Sequence, residues 1–216
     1  MSLSELPVQL EDIERAARLL DGVIERTPVA HSRALSRELG SEVWLKAENL
    51  QRAGSFKARG AYVRMAGLSD QEKARGVIAA SAGNHAQGVA LAASQLGIRA
   101  RIYMPRVAAL PKIAATQDHG AEVVLFGSTV DEALSEAKRV AEESGMVFIH
   151  PFDNAEIVAG QGTLGLEILE QVPEVDTVLT GVGGGGLLAG LAVALKARAA
   201  NGGRPVRLIG VQAENA

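Results

Sequence analysis

One lysine in this sequence stands where a cation is poorly placed. In Gly54-Ser55-Phe56-Lys57-Ala58-Arg59-Gly60-Ala61, Ser55 has the side chain of an N-cap and residues 58–68 carry helical spacing. Lys57 then falls in the first helical turn, where the helix dipole is positive and an ammonium is disfavoured. Arg59 puts a second positive charge close by. Both effects favour the neutral amine, the form that attacks carbonyl carbons. A solvated surface lysine is the plainer alternative.

Two further stretches bring glycine and polar groups to places where an apolar run gives way to a helical one. The first is Thr180-Gly181-Val182-Gly183-Gly184-Gly185-Gly186-Leu187. Four consecutive glycines cost chain entropy, and they make sense where backbone N–H groups converge on an anion at a helix N-terminus. A flexible turn is the alternative. Gly181, Gly183 and Gly186 also satisfy the dinucleotide pattern G-x-G-x-x-G, which further wants an acidic residue about 20 positions on for a ribose. No Asp or Glu stands between Leu187 and Ala213, which disfavours NAD, while Arg204 and Arg207 leave an NADP variant open. The second stretch is Ser81-Ala82-Gly83-Asn84-His85-Ala86-Gln87-Gly88. Its amides, at the start of a helix, form another anion site of a size for a carboxylate. Ser81 or Asn84 equally suits a plain N-cap, and His85 alone equally suits a local structural histidine.

An amine favoured as neutral, a phosphate cradle and a carboxylate cradle together describe a site for pyridoxal 5'-phosphate. The aldehyde would go to Lys57, the phosphate to the glycines and an amino-acid carboxylate to the loop at Ser81. Such groups need elements to aim them. Strand-like runs at 77–80, 100–104, 122–126, 146–149, 175–180 and 206–211 alternate with helical runs at 84–95, 130–144, 155–171 and 187–199, and another helix follows Pro111. This alternation predicts an α/β fold of βαβ units with right-handed crossovers and a mostly parallel sheet. A helix at 10–20 and a strand at 42–47 precede the series. Ligands of open α/β sheets gather at the carboxyl ends of strands, where the glycine loop and the Ser81 loop both fall.

Composition sets the outer bounds. The chain has 216 residues, 47% hydrophobic and 22% charged, a globular balance with room for one large domain or two small ones. Cysteine is absent, which excludes disulfides, zinc–thiolate sites, iron–sulfur clusters and thiol catalysis. A net charge of −3 with interspersed signs offers no basic field for nucleic acid. The N-terminus lacks a signal-peptide layout and no apolar run is long enough to span a bilayer. The expectation is a cytoplasmic protein with no nucleic-acid or membrane partner. Gly accounts for 24 residues while Trp, Tyr and Phe together are scarce, so the core must be built from small aliphatic side chains.

Residue for residue, these stretches resemble the fold type II pyridoxal-phosphate enzymes, most nearly the threonine dehydratases (threonine ammonia-lyases) with their serine dehydratase and serine racemase relatives. The resemblance covers essentially the whole chain, taking in Ala47-Glu48-Asn49-Leu50-Gln51, the lysine motif, the Ser81 loop, Ala159-Gly160-Gln161-Gly162-Thr163 and the tetraglycine loop. Cysteine synthases and cystathionine β-synthases share the scaffold but differ around the lysine. The resemblance implies a tryptophan synthase β-like, two-domain fold. Residues 1–70 and 155–216 would form a large cofactor-binding domain, and residues 71–154 a small inserted α/β domain. It implies that Lys57 carries the cofactor as a Schiff base and shuttles the α-proton, that Asn84 hydrogen-bonds the cofactor's 3'-oxygen, and that Phe56 packs beside its ring. Gly183, Gly184, Gly185, Gly186 and Leu187 would donate amides to the phosphate. Ser81, Asn84 and His85 would hold the substrate carboxylate. The implied reaction is β-elimination of water from L-threonine or L-serine, giving a 2-oxo acid and ammonia, in a dimer or tetramer. A serine racemase or a hydroxyaspartate dehydratase of the same family is the alternative activity. A non-catalytic phosphate- or nucleotide-binding module is the alternative class, and it has no use for Lys57 in a first helical turn.

Three departures from the family pattern bear on these expectations. Racemases of the family place a hydroxyl on the opposite cofactor face at the position matching Ala82, and alanine has no proton to return there, so elimination is favoured. Relatives with a structural divalent metal carry Glu at the position matching Gln212, whose amide is a weaker, neutral ligand, so no metal is expected. The resemblance also implies that relatives continue past the position of Ala216 with a serine or cysteine facing the pyridine nitrogen and with the last elements of the large domain, so that domain is expected to be incomplete here.

Overall fold

Local signals define several elements before tertiary contacts enter. Thr129 Oγ1 accepts the Glu132 N–H at 3.2 Å, Asp131 and Glu132 sit at the positive end of the helix dipole, and Gly145 ends the helix at φ +70°. Between those caps Ala133, Ala137 and Ala141 recur every fourth residue and are buried. The computed structural model describes residues 7–214. Its elements run α1 (Leu10–Leu20), β1 (Val29–His31), α2 (Arg33–Leu39), β2 (Trp44–Lys46), a 3-10 turn (Glu48–Leu50), α3 (Lys57–Ala66), α4 (Asp70–Arg75), β3 (Val77–Ala80), α5 (Asn84–Leu96), β4 (Ala100–Met104), α6 (Leu110–Asp118), β5 (Glu122–Leu125), α7 (Val130–Ser144), β6 (Val147–Phe148), α8 (Ala155–Gln171), β7 (Thr177–Gly181), α9 (Gly186–Ala200) and β8 (Arg207–Val211).

Strands β3 to β6 form one parallel sheet in the order β5-β4-β3-β6. All four residues of β3 are buried, as expected of a parallel strand covered on both faces. On one face Val77, Ala79, Ile102 and Met104 pack with Ala86, Val89 and Ala93 of α5; on the other Ile78, Ala80 and Tyr103 meet the alanine stripe of α7. The chain builds outward from β3 through β4 to β5, and β6 then returns to the far side of β3. Strand order therefore reverses at β3, and the crevice beyond the carboxyl ends of β3 and β6 is the place where such sheets bind ligands.

Helices α1, α3, α8 and α9 pack on one another, and glycine permits the closest crossing. A Cβ at Gly160 of α8 would stand 2.6 Å from the Gly60 Cα of α3. The Ala159–Thr163 run is thus a helix-crossing surface. α8 and α9 also cover the parallel pair β7–β8 through Leu164, Ile168, Val178, Leu191 and Leu195, while Leu179 and Val211 on these strands are exposed.

The mostly parallel sheet expected from the sequence divides in two, and β2 pairs antiparallel with β1, a partner the sequence pattern did not reveal. Ser55 is not the N-cap of α3: Phe56 holds that position, and the buried Ser55 Oγ accepts the Lys57 N–H at 3.4 Å. Neither Ser81 nor Asn84 caps α5, because Gly83 occupies the cap position and Ser81 Oγ accepts the Gly83 N–H at 3.1 Å. Among the described residues, no helix is long and apolar enough to cross a membrane and no cluster of three His, Cys, Asp or Glu is placed to hold a metal.

Candidate active site

Lys57 is the first residue of α3, directly after Phe56. Its Nζ donates to Pro151 O at 2.6 Å and lies 5.5 Å from the centroid of the Phe56 ring. Burial lowers its pKa below that of a free lysine, since the acceptor is a neutral carbonyl and returns no full opposite charge. Arg59 is not a cause of this shift, contrary to the sequence expectation. It is fully buried, donating from Nε and Nη2 to Glu48 at 2.9 and 2.8 Å and from Nη1 to Glu167 at 2.5 Å and Thr163 at 3.2 Å. Its charge is answered within that cluster.

Lys57 lines a cavity of about 120 Å³ together with Phe56, Phe152, Gln161 and residues 183–188. Gly185 caps α9 at φ +86°, a backbone region that favours glycine. No side chain caps this helix end, and Gly185 O takes the Ala189 N–H at 2.9 Å. The amides of Gly186, Leu187 and Leu188 precede that first ladder bond and are free to meet an anion at the positive helix end. A Cβ at Gly183 or Gly185 would meet nothing within 4 Å, whereas one at Gly184 would stand 2.1 Å from Phe152 Cδ1. The loop is open on one side and braced by Phe152 on the other. An amine disfavoured as an ammonium and a row of uncapped amides across one cavity fit an aldehyde and a phosphate carried on a single small molecule.

Ser81, Asn84 and His85 do not line that cavity. They stand at the carboxyl end of β3 and adjoin Lys57 through α5, where a Cβ at Gly88 would lie 3.0 Å from the Lys57 carbonyl carbon. Ser81 is half-buried, and Asn84 is exposed, its Oδ1 accepting from Lys112 Nζ at 3.4 Å. His85 is buried and its Nε2 donates to Ile149 O at 3.0 Å. Burial pushes its pKa down to about 4, helped by the charges of Lys57 and His150 and opposed by the bond to Ile149. A neutral ring committed to a carbonyl supplies no cation, so what His85 offers an anion is its backbone N–H in the first turn of α5.

Sequence reasoning passed over residues 149–154, which join β6 to α8. Ile149 O accepts from His85, Pro151 O from Lys57, and the Phe152 ring braces Gly184. The signal was present only as a short polar turn after a strand; that this turn lies beside β3 follows from strand order, which local pattern does not carry.

Comparison with known proteins adds three findings. Residues 20–216 match the family model described as pyridoxal-phosphate dependent enzyme. The L-threonine ammonia-lyase of Thermotoga maritima is 53% identical over 208 residues, covering 96% of this chain and 51% of that protein. The catabolic L-threonine dehydratase of Escherichia coli is 46% identical over 211 residues, covering 98% of this chain and 63% of its own length. Among solved structures, maize serine racemase superposes with a TM-score of 0.89 at 37% identity, over 95% of this chain and 61% of that one. The chain thus spans between about half and two-thirds of the length of these relatives.

Proposed function

The chain belongs to the pyridoxal-phosphate-dependent enzyme family, and from that premise we propose that it serves an L-threonine ammonia-lyase, with L-serine as a second substrate. The observation that carries this reading is the half-buried Lys57 on a cavity lined by the glycine loop, whose helix-end amides have no side-chain cap. Bound there, pyridoxal phosphate supplies an electron sink for negative charge at the substrate α-carbon.

The chain's own residues have separable tasks. Gly183, Gly184, Gly185, Gly186 and Leu187 hold the phosphate through their amides, and Lys57 Nζ holds the aldehyde end. Phe56 would pack beside the ring and Asn84 would orient its 3'-oxygen through its amide nitrogen, leaving Oδ1 to Lys112. The turn at Ser81, Asn84 and His85 receives the substrate carboxylate. With the cofactor bound, Lys57 Nζ would stand to take the substrate α-proton, a task suited to an amine whose pKa burial has lowered. The net change would be loss of the α-proton and the β-hydroxyl as one water, with a second water adding to the resulting free imine to give a 2-oxo acid and ammonia. We assign residues 71–154 to a small domain whose approach to the remainder, 1–70 and 155–216, excludes water while the α-carbon is charged. A cytoplasmic location and a homo-oligomeric assembly belong to the same reading. The similarity to a serine racemase raises racemisation as a second activity, and Ala82 argues against it because its methyl group has no proton to return.

Purified protein loaded with pyridoxal phosphate should release ammonia and 2-oxobutanoate from L-threonine, produce little D-serine from L-serine, and lose both activities in Lys57→Ala. Loaded protein that binds the cofactor yet releases no ammonia from either amino acid would overturn this assignment.

A further inference from the structure

The turn between β6 and α8 touches His85, Lys57 and the glycine loop, and one side chain holds its shape. His150 Nδ1 accepts the Asp153 N–H at 2.8 Å and the Phe152 N–H at 3.3 Å. Its ring meets Phe152 edge-on with centroids 4.7 Å apart, and Phe148 at 6.3 Å. Nδ1 therefore carries a lone pair and no proton, and burial, the main influence on this ring, lowers its pKa and keeps it so. Within the turn thus closed, Pro151 O meets Lys57 Nζ at 2.6 Å and the Phe152 ring fills the place a Gly184 side chain would take. Phe152 also lies under Gly186, where a Cβ would stand 3.0 Å from the Phe152 carbonyl oxygen. Beyond the turn, Asn154 Oδ1 accepts from Glu156 N at 2.9 Å and Ile157 N at 3.2 Å, so the turn is anchored to α8 as well.

We propose that His150 is a positioning residue: by accepting two amides of its own turn it sets Pro151 O against the lysine and the Phe152 ring against the anion-binding glycines. Both ends of the cofactor site are then registered by one five-atom ring that lines neither. The proposal rests on the reading of the site given above but concerns the shape of the empty loop as much as its loading. Without the acceptor, the Asp153 and Phe152 amides lose a partner, the turn opens, and Phe152 no longer braces the loop. A neutral side chain with an oxygen at the same place restores the arrangement, because asparagine Oδ1 can stand where Nδ1 does.

The test compares His150→Leu, which keeps apolar bulk and loses the acceptor, with His150→Asn, which loses the ring and keeps the acceptor. Amide exchange read by mass spectrometry on a peptide covering residues 181–190 of the cofactor-free protein should be about tenfold faster in His150→Leu and near wild type in His150→Asn, the scale of losing the two amide-to-ring hydrogen bonds of the turn, neither of them fully buried. Spectral titration with pyridoxal phosphate should show about tenfold weaker binding in the leucine variant and recovery in the asparagine variant. Equal exchange and equal affinity in wild type and His150→Leu would overturn the proposal, as would a folded His150→Asn protein with a fast-exchanging loop. If His150→Leu fails to fold, the asparagine variant decides the matter by itself. Failure of wild type to bind the cofactor would instead strike the functional assignment, since the exchange measurement uses no cofactor.

Discussion

Lys57 and Arg59 stand two residues apart at the start of α3, one beside a glycine-walled cavity and the other inside a nest of carboxylates. Arg59 is fully buried and its guanidinium is bonded to Glu48, Glu167 and Thr163. The nest extends to Lys46, whose Nζ reaches Glu167 at 2.5 Å, Thr27 O at 2.7 Å and Gln171 Oε1 at 2.7 Å. Burial works against ionisation of Glu167, yet Arg59 and Lys46 overcome it and hold the carboxyl below its usual range. Lys57 has a carbonyl for a partner and an amine made less basic by burial. A cation kept for structure has its charge answered on every side, whereas a cation kept for chemistry is left in want of a partner. Here the first makes the second usable: the nest ties the 3-10 turn, β2, α3 and α8 together, so the unstable charge is borne by a rigid helix.

Breaking the nest should have the largest effect. Arg59→Met leaves the partly buried Glu48 and Glu167 with fewer counter-charges and should cost about 3–5 kcal/mol in urea unfolding. A loss below ~1 kcal/mol would mean that the nest is not structural. Next comes His85, which protonates below about 6.5 when unfolded but only below about 4 when folded. Between those values the unfolded chain binds more protons, so stability should decline as pH falls from 6.5 to 4, by at most about 3 kcal/mol. Unfolding midpoints across that range should decline less steeply in His85→Gln, which can still donate to Ile149 O. Gly184→Ala drives a methyl into the Phe152 ring and should cost about 1–3 kcal/mol, with part of the loss recovered when Phe152 is shortened to Leu. The smallest change should come from Lys57→Met, within about 1 kcal/mol of wild type, since the partner it leaves, Pro151 O, is neutral and only half-buried. If that variant were as unstable as Arg59→Met, the contrast between the two cations would be lost.

Much of the scaffold was legible because its signals are local. Leu10–Leu20, Val130–Ser144 and Ala155–Gln171 appear with the bounds their periodicity and caps suggest. α2 and α4 escaped because neither buries a residue and so neither shows an apolar stripe, although Ser32 before one and the Ser69–Glu72 capping box of the other were readable. The division of the sheet was not legible, since pairing between strands far apart in sequence leaves no local mark. In the candidate site, residue type and spacing singled out Lys57 and the glycine loop, which line one cavity. Arg59 was misjudged because Glu167 lies more than a hundred residues away in sequence. His150 was missed because it bonds to backbone amides of its own turn, a pattern that any polar side chain before a helix equally suggests.

The most direct test of the central claim is to load the protein with pyridoxal phosphate at neutral pH, reduce it with borohydride and locate the added mass by peptide mapping. The label should sit on Lys57, with exposed amines such as Lys196 unlabelled and the label abolished by Lys57→Met. A label spread over surface lysines, with the Lys57 peptide unmodified, would contradict it.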